Sequence, residues 1–139
     1  MLASDLATHS SSRCTLTTFH HARYSSGHDG DNTFMADLYQ DLYNADVDVV
    51  LSGHSHDYER FAPQDNANHR DDARGITQFV VGTGGAFFTG WVTTDPNSEV
   101  RQNTTYGILE LTLHPASYTW RFVPENGKTF TDSGTRNCH

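Results

Sequence analysis

Lysine is almost absent from this chain: Lys128 is the only one among nine basic residues, which face seventeen acidic ones for a net charge of −8. An acidic chain without a basic cluster is a poor ligand for nucleic acid or an anionic membrane surface, so neither is expected as a partner. Long apolar runs are missing too. The run Val47 to Leu51 is interrupted by Asp48, and nothing approaches the ~20 residues needed to span a bilayer. No basic, apolar, small-residue leader is visible at the N-terminus, so an exported form would carry its leader upstream. The Gly-x-Ser-x-Gly pattern of serine hydrolases does not occur, which leaves that chemistry unsupported. No internal repeat and no low-complexity tract is found.

Only two cysteines are present, Cys14 and Cys138. They allow one intramolecular pairing. Two unrelated buried thiols is one reading. A disulfide closing a long loop, in an oxidising compartment, is the other. Asn103-Thr104-Thr105 fits a glycosylation acceptor, a triplet common by chance.

What the chain has in excess is histidine, nine in 139 residues. His20, His21, His28, His54 and His56 fall in two short windows, and imidazole is the commonest biological metal ligand. Aromatics at 12% are too abundant for a disordered chain. The length suits one domain, which would bury roughly 68% of its unfolded surface.

The spacing predicts a helix over 2–8, with Leu2 and Leu6 on one face and Met1 within it. A polar break over 9–13 follows. A Thr-rich strand is expected over 14–19, a loop over 20–32, and a helix over 33–44. Phe34, Leu38 and Leu42 form that helix's apolar stripe, and Asn32 is its N-cap. A strand over 47–52 follows, then a polar loop over 62–75, a strand over 76–83 and a loop over 89–103. Two alternating strands over 105–113 and 118–123 are joined by a hairpin-like connection. The fold class is therefore α/β: one βαβ unit, whose two strands are parallel, followed by mostly antiparallel strands.

Ligand sites in α/β sheets form outside the carboxyl ends of parallel strands. His20 stands at the end of one predicted strand. His54 and His56 stand just past the next, 34 residues along from His20 to His54. In extended backbone, residues i and i+2 point to one side, so both imidazoles are expected to approach one centre with His20. Gly53 is expected to supply the sharp turn.

The segments Thr-Phe-His-His-Ala-Arg-Tyr-Ser-Ser-Gly (18–27) and Gly-His-Ser-His-Asp-Tyr-Glu-Arg-Phe (53–61) carry a resemblance. They resemble two motifs of calcineurin-like metallophosphoesterases, in the branch near purple acid phosphatases; the second is highly specific. Phe-Val-Val-Gly-Thr-Gly-Gly (79–85) and Gly-Lys-Thr-Phe-Thr-Asp-Ser-Gly (127–134) are also similar to bacterial members. The resemblance implies a partial β-sandwich flanked by helices, and residues 1–139 as the C-terminal half of one catalytic domain. It implies hydrolysis of small-molecule phosphate esters by a metal-bound hydroxide, and a secreted or periplasmic location. His20, His54 and His56 match metal ligands. His28 matches, by spacing alone, a substrate-facing histidine that protonates the leaving group; a solvated loop histidine is the competing reading.

Ala22 departs from the usual proline. The N-terminal carboxylate motifs of the family, including the aspartate that bridges the metals, are not in this sequence, and Gly30-Asp31-Asn32 is only a superficial echo. The complete site holds two transition-metal ions (Fe, Zn or Mn); at most one is expected here. The alternative to an enzyme is a non-catalytic truncated chain binding one divalent ion through three histidines. Exposed edges would favour self-association. Glu59 and Arg60 are expected to form an ion pair, and Asp57 to orient a ligand imidazole or to be a simple loop carboxylate. Gly82-Thr83-Gly84-Gly85 is expected to be a tight turn rather than a phosphate cradle.

Overall fold

The structure is a computed structural model that describes residues 2–9 and 11–139. Met1, expected within the first helix, and Ser10, in the polar break, lie outside the described residues. The elements in chain order are α1 (Leu2–Thr8), β1 (Leu16–His21), a 3-10 turn (Thr33–Met35), α2 (Ala36–Asn44), β2 (Val49–Gly53), β3 (Tyr58–Phe61), β4 (Thr77–Val81), β5 (Ser98–Gln102), β6 (Gly107–His114), β7 (Ser117–Pro124) and β8 (Ser133–Asn137).

The strands form two sheets. Five strands follow the order β1-β2-β4-β3-β5, and three follow β6-β7-β8. The expected parallel pair is present, with Leu16 opposite Val49 and His21 opposite Gly53. β4 extends it as a third parallel strand, while β3 is reversed and pairs antiparallel with both β4 and β5. The second sheet is wholly antiparallel. The α/β reading, one βαβ unit followed by mostly antiparallel strands, thus describes the chain.

Successive strand residues face opposite sides, and the two hydrophobic clusters divide accordingly. Val50, Phe61, Ile76 and Val80 face the helical side, against Tyr24, Tyr39 and Leu42. Val49, Tyr58 and Phe79 face the second sheet, against Tyr118 and Phe122. The central sheet is thus covered on both faces, which is why the apolar residues of β2 (Val49-Val50-Leu51) and β4 (Phe79-Val80-Val81) are consecutive rather than alternating.

Three strands were not foreseen. β3 carries two charged residues in four, Tyr-Glu-Arg-Phe. β5 and β8 are the short polar edges Ser-Glu-Val-Arg-Gln and Ser-Gly-Thr-Arg-Asn. Edge strands are half solvated and need no apolar pattern, so they leave little periodic signal. The helical stripe also differs. Phe34 sits on the 3-10 turn and is 67% exposed, while Tyr39 and Leu42 are buried. Asn32 does precede that turn, but its side-chain amide donates to the Ala22 carbonyl rather than capping.

Cys14 and Cys138 form a disulfide, with Cα atoms 5.3 Å apart and a separation of 124 positions in sequence. Beside it, the buried Asp48 accepts the Thr15 N–H at 2.8 Å and the His139 N–H at 3.0 Å. The last residue is thereby fastened to the start of β1. No helix among the described residues is long and apolar enough to cross a membrane.

Candidate functional site

β1 runs through both histidines of the first motif, and β2 ends at Gly53. His20 Nε2 therefore comes within 3.2 Å of His54 Nδ1, from adjacent parallel strands. His21 stands with its ring centroid 4.2 Å from that of His54 and 5.1 Å from that of His20. Its pKa is lowered, first by burial and then by the neighbouring imidazoles. The other nitrogen of His54 faces Asp29 at 3.8 Å.

The sharp turn is taken by His54 itself, at φ +64°, and not by Gly53. A left-handed backbone is uncommon for a residue with a Cβ and marks a position fixed by its surroundings. This bend removes the extended geometry from 54–56. His56 turns instead to Phe87, its Nδ1 2.9 Å from the Phe87 carbonyl and its ring edge-on to the phenyl. Its own carbonyl accepts the Thr89 N–H. The glycine stretch 82–85 lies beside it. A Cβ on Gly82 would overlap the Ser55 carbonyl oxygen and reach within 3.0 Å of His56 Cα. His28 lies exposed on the loop after β1.

The acidic residues of the second motif look inward. Glu59 is fully buried, accepting the Ser26 N–H at 2.8 Å and the Ser98 hydroxyl at 2.5 Å. Arg60 points to the opposite face, where it meets Asp132 at 2.8 Å and also Glu99. The expected Glu59–Arg60 pair is therefore replaced by two separate sets of contacts, because adjacent strand residues diverge. Asp57 is buried and holds the Ser55 hydroxyl at 2.7 Å; burial pushes its pKa up to about 6. No imidazole is bonded to it among the described residues.

No family model matches the sequence. A probable inactive purple acid phosphatase 1 of Arabidopsis thaliana is 31% identical over 74 residues, covering 48% of this chain and 12% of the relative. A purple acid phosphatase from yellow lupin (Lupinus luteus) seeds superposes with a TM-score of 0.83 at 21% identity, over 98% of this chain and 27% of that one. The Plasmodium protein GAP50, the anchor in the inner membrane complex, superposes with a TM-score of 0.73 at 19% identity, over 99% of this chain and 41% of that one. This chain is similar to the C-terminal part of a purple acid phosphatase-like metallophosphoesterase. It spans well under half the length of each of these relatives.

Purple acid phosphatases generally use a two-metal centre, and that centre does not fit the residues present. Among the described residues no three His, Cys, Asp or Glu side chains are grouped to hold a metal ion. What does fit is narrower. With metal–nitrogen bonds of about 2.0–2.1 Å, two imidazole nitrogens on adjacent positions of one ion lie roughly 3.0–3.4 Å apart, and His20 and His54 stand at 3.2 Å. The residues that sequence reasoning missed are Asp29, beside His54, and Phe87, whose carbonyl anchors His56. Phe87 is 31 residues from its partner and contributes a backbone atom, so no side-chain pattern could have revealed it.

Proposed function

We propose that this chain is the histidine-bearing C-terminal half of a metal-dependent phosphoester hydrolase domain of the purple acid phosphatase kind, acting on small-molecule phosphate esters. The observation that carries the reading is the His20–His54 approach at the carboxyl ends of two adjacent parallel strands. In this reading His20 and His54 hold one divalent ion, His56 joins them after exchanging its bond to Phe87, and His28 faces the leaving group. The disulfide supports an oxidising, secreted or periplasmic setting.

The second reading is a non-catalytic chain that keeps the histidines and a single ion. Two observations favour it for the isolated 139 residues. No three-residue ligand group is in place among the described residues, and two of the relatives are named as probably inactive and as an anchor.

Elemental analysis after exhaustive dialysis into metal-free buffer, followed by Zn²⁺ or Mn²⁺ titration, tests the proposal. One ion per chain is expected, lost in both His20→Ala and His54→Ala. Chelator-sensitive hydrolysis of an aryl phosphate would favour the enzyme over the non-catalytic reading. Metal uptake indifferent to both substitutions, or hydrolysis that survives metal removal, would overturn the assignment.

A further inference from the structure

Between β4 and β5 the chain runs from Gly82 to Asn97 with no strand of its own; hydrogen bonds from Thr83 to Gly107 and from Asn97 to Gln64 hold its ends, the Asn103 amide holds the Thr89 carbonyl, and an isolated bridge joins Trp91 to Gly27. It lies over the loop that follows β1. The Val92 and Thr93 N–H groups donate to the Ser26 carbonyl at 3.0 and 3.4 Å, and the Asp95 N–H donates to the Ser26 hydroxyl at 3.0 Å. Farther back, the same segment supplies both backbone partners of His56, at Phe87 and Thr89. The segment is a strap, and Ser26 is the point of attachment of its 92–95 stretch.

At that point Asp95 is only 8% exposed, and its Oδ2 has no hydrogen-bond donor turned toward it. Its carboxyl lies within hydrogen-bonding reach of that of Asp31, whose Oδ1 already accepts the Ser25 N–H at 2.9 Å. Two carboxylates cannot bond to each other. A carboxyl and a carboxylate can, with one proton between them, and this satisfies the orphaned oxygen. The other charged groups facing Asp95 are Glu59, which repels a second negative charge, and Arg23, which partly offsets it. From β5, Arg101 reaches the strap's Thr93 carbonyl and covers the Trp91 ring.

We propose that a proton shared between Asp95 and Asp31 latches the 92–95 stretch of the strap over the Ser25–Gly27 loop, and that losing this proton releases that stretch. Burial, first, and Asp31, second, raise the Asp95 pKa to about 7. The latched form keeps a proton that the released form gives up. Latching is therefore strongest at acidic pH and weakens as pH rises from the ordinary carboxylate range to about 7. The device is independent of whether a metal binds.

Hydrogen exchange of the Val92, Thr93 and Asp95 amides, corrected for intrinsic rates, reads the latch directly. Their protection is expected to fall at least about tenfold between pH 5 and pH 8, while β2 and β4 amides stay protected. Asp95→Asn, which donates to Asp31 without titrating, is expected to flatten that dependence. Asp31→Asn is expected to move its midpoint to lower pH. Protection that does not change with pH, or an Asp95→Asn protein that keeps the wild-type dependence, would overturn the latch. Should Asp95→Asn not fold, an unshifted midpoint in Asp31→Asn overturns it equally.

Discussion

Glu59 on β3 accepts the backbone N–H of Ser26 at 2.8 Å, across 33 residues of sequence. The carboxylate of the second histidine motif thus holds the loop that follows the first. Glu59 touches neither His20 nor His54 in this arrangement; it fixes the backbone between His21 and His28 from below, in a buried setting where a charge-assisted bond is worth more than at the surface.

Removing that carboxylate leaves the Ser26 N–H and the Ser98 hydroxyl buried without their acceptor. Glu59→Ala is expected to cost about 2–4 kcal/mol of unfolding free energy, and Glu59→Gln less, since its amide oxygen still accepts one bond. Urea unfolding measures both. A Glu59→Ala protein within about 0.5 kcal/mol of wild type would mean the loop is held by other contacts.

Asp132 gathers four donors. The Tyr58 hydroxyl reaches it at 2.7 Å, the Arg60 guanidinium at 2.8 and 3.3 Å, and the Trp120 indole at 3.2 Å. These contacts join β3 to the second sheet. Asp132→Ala leaves the mostly buried guanidinium with Glu99 as its remaining carboxylate, beside an orphaned phenol, a change expected to cost about 2–4 kcal/mol. Thermal unfolding checks it, and Asp132→Asn is expected to fall between the alanine variant and wild type.

The disulfide restrains a loop of 124 residues. In the chain-entropy account, closing a loop of that order stabilises by about 4–5 kcal/mol, a large share of the roughly 5–15 kcal/mol of a whole domain. Paired Cys14→Ser and Cys138→Ser substitutions, or treatment with a reductant, are expected to lower the melting temperature markedly. An unchanged melting temperature on full reduction would show that Asp48 alone secures the chain end.

Acid is expected to loosen the loop over 62–75. Tyr43 donates its hydroxyl to Asp71 at 2.7 Å, and this bond, ahead of the Arg74 and Ala73 N–H groups, lowers the Asp71 pKa below 3.8. A depressed carboxylate stabilises the fold at pH values above its unfolded pKa, and the contribution disappears as pH falls below about 3.8 toward the folded value. Tyr43→Phe is expected to reduce that acid-side decline, with little effect on its slope at neutral pH. Denaturant midpoints compared from pH 2 to 6 give the result; identical curves for the two proteins would remove Tyr43 from the account.

Most of the central architecture was legible. The strand–helix–strand unit, its parallel pairing and the antiparallel β6–β7 hairpin follow from apolar periodicity, because β2 and β4 are buried on both faces and α2 on one. The strands β3, β5 and β8 were hidden because they are short and polar, with their charges engaged by distant partners such as Asp132 and Ser26. The likeness of the two histidine segments to purple acid phosphatases was also legible, since motif residues are local in sequence.

The sequence by itself determined which residues lie at the carboxyl ends of β1 and β2, because strand ends follow from local composition. That alone brings His20 toward His54. Only the tertiary structure decided where the remaining side chains turn. His54 adopts a left-handed backbone, His56 faces the Phe87 carbonyl, Glu59 and Arg60 part to opposite faces, and Asp95 comes to rest beside Asp31. Each of these depends on atoms 31 to 72 residues away or on a backbone torsion set by packing, and neither is written in the local pattern of the chain.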